Sequence, residues 1–406
     1  MTGPTAGQDA GADRNRRDAG DRRDDGPSVA VVGGGAVGVT AAGDLAARGA
    51  EVTLFDRGEL GSGSSGRAAG VLYDAYAEDV DAALAARAME RFRVLSDSRP
   101  GFEFTPCPYV IAVREGDEDA EAVPAMVDRM RAHGRDVSVV DPATLGERFP
   151  IRTDDLAVAA VAEGAGWTDP GRYVAVMGER ARREGATVET DTTVRLDPDA
   201  PRTVHAAGSA REFDAVVVAA GAHTEGLLAT AGVEVPVKPY RVQALVSRRS
   251  YAGPMVYDAT AGVYLRPHPT GLLAGDGTEP VVADPEEYDR RADDRFVASV
   301  GETLRERIDH DPDVESAWAG LCTATPDGDP LVGRVAPGLF VAAGWQGHGF
   351  MRAPAMGELV AEGVIASLDG VVSDGSPWID AFDPSRFDGD ETFEIAEGMA
   401  IRSRDE

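Results

Sequence analysis

The chain has 406 residues, 43% hydrophobic and only 6% aromatic, enough for two domains of ordinary size with an aliphatic, alanine-rich core. Its 70 acidic residues against 40 basic ones give a net charge of −30, which argues against nucleic-acid binding through clustered positive charge and against docking on anionic lipid. Cys107 and Cys322, the only cysteines, form neither a zinc pattern nor a disulfide framework, so a reducing cytoplasm is the expected compartment.

Residues 1–27 are Asp, Arg, Gly and Ala with almost no large apolar side chain, and a disordered tail is expected there. Arg16-Arg17 and Arg22-Arg23 precede an apolar stretch, as in a twin-arginine export signal. That stretch is also the first strand of a nucleotide site, so export is rejected as an expectation. No run approaches the roughly 18 apolar residues of a membrane span.

Residues 29–32 (VAVV) read as a buried strand. A turn follows through Gly33, Gly34, Gly35, Ala36, Val37 and Gly38, then a helix over 39–48 and a second strand over 52–55 ending on Asp56. A pyrophosphate sits well against a helix N-terminus, where free N–H groups and the dipole favour negative charge. Gly33 permits the tight turn, Gly35 lets backbone approach the phosphates and Gly38 lets helix and strand pack closely. Asp56, eighteen residues past Gly38, suits the ribose hydroxyls and disfavours a 2′-phosphate. The pattern points to a dinucleotide but does not by itself separate FAD from NAD.

The segment 61–70 (GSGSSGRAAG) is either linker or backbone suited to wrapping a ligand. Helix is predicted over 79–98, strand over 109–113 and helix over 123–133. Asp169 as N-cap and Pro170 at the first helical position start a helix reaching about 184. Strands are predicted over 187–194 and, buried, over 213–220. From 236 to 316 short strands follow one another (242–246, 255–257, 263–266, 272–274), which suggests an outer antiparallel sheet, and 291–308 reads as helix. A further strand over 339–343 leads into a second glycine turn, 344–349 (GWQGHG), and a helix over 355–368.

Four blocks, in order, resemble the D-amino-acid-oxidase superfamily of FAD oxidoreductases, closest to its sarcosine oxidase and dimethylglycine dehydrogenase branch. They are 31–38 with Asp56, 61–70, 214–224 (DAVVVAAGAHT), and 318–333 (WAGLCTATPDGDPLVG) running into 340–357 (FVAAGWQGHGFMRAPAMG). The resemblance implies an α/β fold: a Rossmann-type FAD-binding domain from 28–95, 156–235 and 317–372, a second domain on an antiparallel sheet from 96–155 and 236–316, and an extension over 373–406. It implies that Gly33, Gly35, Ala36, Val37, Gly38, Asp56 and Arg57 hold the ADP half. Ser64, Ser65, Arg67 and Ala68 run beside the pyrophosphate and flavin edge, Val194 contacts the adenine side, and Ala220 and Gly221 pass close by. Gly344, Gln346, Gly347, His348, Gly349 and Met351 lie along the isoalloxazine ring. A helix opening after Gly349 would also place N–H groups where a reduced flavin carries charge.

Relatives that tether flavin covalently do so through a cysteine where this chain has Gly320, or a histidine where it has Arg67, so non-covalent FAD is expected. Cys322 reads as a small core residue. A lysine that grips carboxylate in some sarcosine oxidases is matched by Met351. Tyr264 and Arg266, on one face of a strand, are the leading candidates to hold a substrate carboxylate, with Arg352 and His348 as rivals. The implied reaction is oxidation of a C–H next to an amine nitrogen of a sarcosine-, dimethylglycine- or proline-like amino acid. Oxidation of a D-amino acid or glycine, hydroxy-acid or glycerol-phosphate oxidation, a role as flavin subunit of a larger assembly, and an inactive flavin-binding module are the alternatives. Oxygen is expected to be a poor electron acceptor, because segment 271–275 (GLLAG) carries no base and the sole lysine, Lys238, lies at the sheet entry; an electron-acceptor protein or quinone takes its place. The acid excess is similar to that of halophilic proteins. No metal site is expected.

Overall fold

The computed structural model describes residues 26–370 and 380–396. The tail expected at 1–27 therefore lies, apart from Gly26 and Pro27, outside the described residues.

The apolar runs of the nucleotide motif become the centre of a six-stranded sheet. Its order is Leu331–Ala336, Leu339–Ala343, Ala215–Val218, Ser28–Val32, Glu51–Phe55 and Thr187–Glu189. All pairs are parallel except the first. Such a sheet must be covered on both faces, which is why the strands Ser28–Val32, Ala215–Val218 and Leu339–Ala343 are almost wholly apolar. Val29 and Val31 face one core with Leu45, Phe92, Tyr173 and Met356, whereas Ala30 and Val32 face another with Phe55, Val216 and Leu228.

The first core is roofed by four helices, Ala36–Ala47, Asp79–Ser98, Pro170–Arg183 and Gly349–Leu368. Asp169 caps the third as expected, accepting from the Arg172 N–H at 3.1 Å. Helices Ala36–Ala47 and Gly349–Leu368 touch closely: a β-carbon on Gly357 would lie 2.5 Å from Thr40 Cβ. The buried Asp44 ties the bundle together, accepting from Arg91 at 2.8 and 3.0 Å and from Arg180 at 2.6 Å.

The outer sheet has eight strands, in the order Val314–Ala324, Lys238–Ser247, Gly271–Val282, Val263–His268, Met255–Asp258, Tyr109–Arg114, Leu156–Ala162 and Val137–Val140. It is antiparallel except where Met255–Asp258 runs parallel to Tyr109–Arg114. The divisions drawn at 156 and 317 thus fall beside or inside outer-sheet strands that reach Ala162 and Ala324. Alternation along Tyr109–Arg114 sends Tyr109 toward the face shared with Tyr257 and Tyr264, and Val110 toward the opposite core with Val300 and Leu304.

Three expected elements differ. The strand expected over 187–194 breaks into Thr187–Glu189 and Val194–Leu196, because Asp191 takes a left-handed conformation (φ 53°) and turns the chain out of the parallel sheet. The short strand over 272–274 is the start of a twelve-residue one, Gly271–Val282, whose partner Lys238–Ser247 runs for ten residues. The helix expected over 355–368 begins at Gly349, where a helix opening was expected as well, and the two join into one helix with Pro354 inside it.

Removing Asp44 leaves two partly buried guanidinium groups without their shared partner. Asp44→Ala is therefore expected to destabilise the fold by about 3 kcal/mol, a size typical of a broken buried ion pair. A denaturant midpoint that implies less than about 1 kcal/mol would reduce the clamp to the level of a surface pair.

Candidate active site

A cavity of about 890 Å³ lies between the two sheets. One end is built by the first glycine turn. Gly33 (φ 114°) packs so closely that a β-carbon would come within 2.2 Å of the Ala219 carbonyl oxygen, and one on Gly38 within 1.9 Å of the Gly33 carbonyl oxygen. Gly33 therefore serves the contact between this turn and the end of strand Ala215–Val218, whereas Gly38 serves the contact between helix and strand and lies behind the cavity wall. Gly35 is different. A β-carbon there would meet only Ser65 Oγ, at 3.1 Å, so the space above it is open to the cavity.

The surrounding groups fit a pyrophosphate. Helix Ala36–Ala47 has no capping side chain of its own, and Ser65 Oγ accepts from the Ala36 N–H at 2.9 Å. The first-turn amides thus face a polar loop at the cavity edge, as an anion requires. Ser64 Oγ anchors the same loop to the outer sheet by donating to the Leu321 carbonyl at 2.6 Å. The Asp56 carboxylate accepts from the Gly34 and Gly58 N–H groups at 2.6 and 2.8 Å, which fixes it at the cavity edge. Arg57, Ala68, Val194, Ala220 and Gly221 also line the cavity.

The other end is built by the second turn. Gly347 (φ 80°), His348, Gly349 and Met351 line it at the start of helix Gly349–Leu368. Gln346 lines it too, but its side-chain amide donates to the Ala396 carbonyl at 2.7 Å, so the C-terminal extension ties this turn down. Gly344 is not a lining residue; a β-carbon there would strike Thr325 Cγ2 at 2.3 Å, so its part is packing. Gly320 lines the wall beside Arg67, whose guanidinium donates to the Ser62 and Gly63 carbonyls.

Tyr264 reaches the cavity as expected, but the two arginines proposed to hold a carboxylate do not. Arg266 is 3% exposed and donates to the Ala69 and Pro267 carbonyls, with its guanidinium 4.8 Å from the centre of the Trp167 ring. Burial pulls its pKa down to about 10. Arg352 is also buried, ion-paired with Asp81 at 2.8 Å and stacked 4.8 Å from the Tyr76 ring. Burial works against its charge, and Tyr76 and Asp81 more than restore it. Strand alternation gave the correct face for Arg266 but not the distance, because its long side chain folds away behind residue 69.

Residues missed in the sequence complete the wall. Tyr73 and Tyr109 line the cavity beside Tyr264, their rings 5.1 Å apart, and burial pushes both hydroxyls well above the ordinary phenol range. Thr192, Thr193 and His223 line the end nearest Asp56; burial, then Arg57, pulls His223 below the usual imidazole range. Trp318, Cys322 and Tyr240 form the outer-sheet side. The only sequence signal for Tyr73 was its place just after the small-residue loop, and for Tyr109 its place at the start of a predicted strand.

Residues 28–363 match the DAO family, described as FAD dependent oxidoreductase. The chain belongs to that family. It is 28% identical over 359 residues to a glycine oxidase from Geobacillus kaustophilus, covering 82% of this chain and 92% of that protein. It is 29% identical to the tRNA 5-methylaminomethyl-2-thiouridine biosynthesis bifunctional protein MnmC of Maricaulis maris, spanning 55% of that protein's length. Among solved structures, L-proline dehydrogenase from P. horikoshii superposes with a TM-score of 0.78 at 26% identity, covering 89% of this chain and 98% of that one. The G. kaustophilus glycine oxidase gives 0.77 at 24% identity, covering 89% and 99%. FAD is thus the cofactor of the family, and the open space over Gly35 with the two glycine turns fits it.

Gly35 has φ −75°, which any residue adopts, so Gly35→Val is expected to fold while filling the phosphate space. FAD binding by the apoprotein should weaken by at least about a hundredfold, more than 2.7 kcal/mol, with thermal stability of the apoprotein near wild type. Unchanged FAD affinity would place the pyrophosphate elsewhere.

Proposed function

We propose that this protein oxidises the C–N bond of a small amino acid or of an N-methyl or secondary amino acid, with FAD bound non-covalently. The observation that carries this reading is the convergence of two helix N-termini, at Ala36 and Gly349, on one cavity that ends in a tyrosine wall. Bound flavin supplies a hydride acceptor for the C–H next to the amine nitrogen, and water then hydrolyses the imine product. The protein's own part is to bind, orient and exclude water. The amides at the start of helix Gly349–Leu368 present a positive dipole end where negative charge develops. Tyr73, Tyr109, Val71 and Met351 narrow the space in which the substrate lies against the flavin face. Gly320 and Arg67, at the two tethering positions, support a non-covalent cofactor.

A dehydrogenase is favoured over an oxidase. Strand Gly271–Val282 offers no base over residues 271–275, and Lys238 donates to the Phe393 carbonyl with its ammonium 4.1 Å from the Phe393 ring centre. No lysine charge is thereby left to help place an electron on oxygen. The electron acceptor would be a protein or a quinone. Oxidation of glycine or a D-amino acid is the second reading; the identity shared with glycine oxidase over 359 residues favours it.

Mixing the holoenzyme anaerobically with sarcosine, dimethylglycine, proline, glycine and D-alanine should bleach the oxidised flavin spectrum with at least one of them. No reduction by any would remove the amine reading. Aerated buffer should then restore the spectrum slowly; rapid return with stoichiometric hydrogen peroxide would make the protein an oxidase. Acid denaturation should leave the yellow colour in solution, and yellow protein in the pellet would show a covalent bond.

A further inference from the structure

The DAO family match ends at residue 363, so residues 380–396 of the C-terminal extension lie beyond it. The first half of this segment is firmly seated. Phe382 is buried in the first core, and its carbonyl accepts from the Val332 N–H at 2.9 Å. Arg386 donates to the Asp327 carboxylate at 2.8 Å and to the Asp329 and Pro330 carbonyls at 2.9 and 3.1 Å. The second half reaches the second glycine turn from outside the cavity. Ile395 is buried against Tyr240 and Ala324, with Cys322 and Phe393 packed beside them. The Lys238 ammonium donates to the Phe393 carbonyl and lies 4.1 Å from the centre of its ring. The Ala396 carbonyl accepts from the Gln346 side-chain amide at 2.7 Å. Tyr240, Cys322 and Gln346 line the cavity, whereas residues 391–396 stand behind them.

Gln346 depends on that last bond. It is 3% exposed and takes a left-handed conformation (φ 46°), which a residue with a β-carbon holds only when its surroundings impose it. Its side-chain oxygen is buried with no hydrogen-bond partner among the described residues, so the Ala396 carbonyl is the anchor of the amide. Without it, both ends of a buried amide would be unpaired, and the turn would relax to pair them. On its other side the turn is held by strand Val314–Ala324. The Trp345 and Gln346 N–H groups donate to the Thr323 hydroxyl and carbonyl at 3.2 and 2.8 Å. Gly347 and His348 then lead directly into the helix N-terminus at Gly349, which opens on the cavity.

From this arrangement we infer that residues 391–396 form a clasp whose docking and FAD binding stabilise one another, with Gln346 as the positioning residue between them. The clasp is held by one amide, one ammonium and one buried isoleucine, few enough contacts to open locally while the rest of the chain stays folded. When it opens, the second turn loses its outer support and the flavin end of the cavity loses its shape. With FAD bound, the turn is held in the conformation that Ala396 and Ile395 recognise. Linkage makes the two effects equal in size: FAD tightens the clasp by the factor by which the clasp tightens FAD. None of these contacts reaches the first glycine turn, so a ligand confined to the pyrophosphate end leaves the clasp as it was. This coupling concerns the cofactor alone and holds whichever amine is oxidised.

Lys238, the sole lysine, reports the docking in the unaltered chain. It does not line the cavity, so FAD cannot cover it directly. Its ammonium is shielded from an amine-acylating reagent while bonded to the Phe393 carbonyl, and the acylation rate of the Lys238 peptide, read by mass spectrometry, follows the open fraction. Saturating FAD should slow this rate about tenfold relative to the apoprotein, and ADP by less than about twofold. Equal rates with and without FAD, or protection by ADP as strong as by FAD, would overturn the clasp. The reciprocal effect is read on Ile395→Asp, which sets a carboxylate against Tyr240 and unseats the segment. FAD should leave this variant about tenfold faster, with ADP affinity and apoprotein melting temperature near wild type. FAD release at the wild-type rate would overturn the coupling, and so would an equal loss of ADP affinity, the mark of a general loss of structure. Should Ile395→Asp not fold, Gln346→Leu, which deletes the donor to Ala396, takes its place with the same expectations. Glu394→Gln, on the exposed side of the segment, should leave FAD release unchanged; faster release there would trace the effect to the charge of the segment and not to its seat.

Discussion

Everything in this fold depends on how closely one helix approaches one strand. Gly38 lets helix Ala36–Ala47 meet the end of strand Ser28–Val32, and Gly33 lets that end meet the chain leaving Ala215–Val218, each backbone against backbone at distances that leave no room for a β-carbon. The consequence is positional. The first turn of the helix opens onto the cavity, and the strand ends carrying Asp56 and Ala219 lie beside it. The energy that holds this approach comes from elsewhere: apolar burial on both faces of the six-stranded sheet, and the ionic clamp of Asp44 across three helices.

The second helix terminus follows from the first. Helix Gly349–Leu368 lies on Ala36–Ala47 through the contact of Gly357 with Thr40, so its own N-terminus is carried to the same cavity from another direction. Two positive dipole ends then converge, one suited to a phosphate and one to charge that develops during reaction. The C-terminal extension reinforces the second turn. Gln346 reaches the Ala396 carbonyl, Lys238 reaches the Phe393 carbonyl, and Ile395 packs with Tyr240 and Ala324. The outer sheet supplies the remaining wall, with its tyrosines facing the cavity and its aliphatic residues facing a separate core.

What was legible in the sequence was local. The glycine turns, the Asp169 cap and the helix Asp79–Ser98 could be read because single residues or short periodicities dictate them. What was not legible depended on contacts distant in sequence. Asp191 takes a left-handed turn only because the chain must leave one sheet for another. The helix starting at Gly349 keeps Pro354 inside it, whose carbonyl accepts from Arg91 of a neighbouring helix at 2.7 Å. The site showed the same division. Backbone positions such as Gly35 and Gly347 were found, while the fate of Arg266 was decided by the Ala69 carbonyl and the Trp167 ring, neither of which strand alternation could foresee. Tyr73 and Tyr109 carry no motif and became visible only once the two sheets faced each other.

The position of the cofactor relative to the two helix termini decides how the site works. A crystal structure of the FAD-loaded protein measures this directly. It should show the pyrophosphate oxygens within hydrogen-bonding distance of the Gly35, Ala36 and Val37 N–H groups, and the pyrimidine edge of the flavin against Gly347 to Gly349 with its face toward Tyr264. A flavin bound with its phosphates away from the Gly35 turn, or with its ring outside the space between Met351 and Tyr264, would contradict the account.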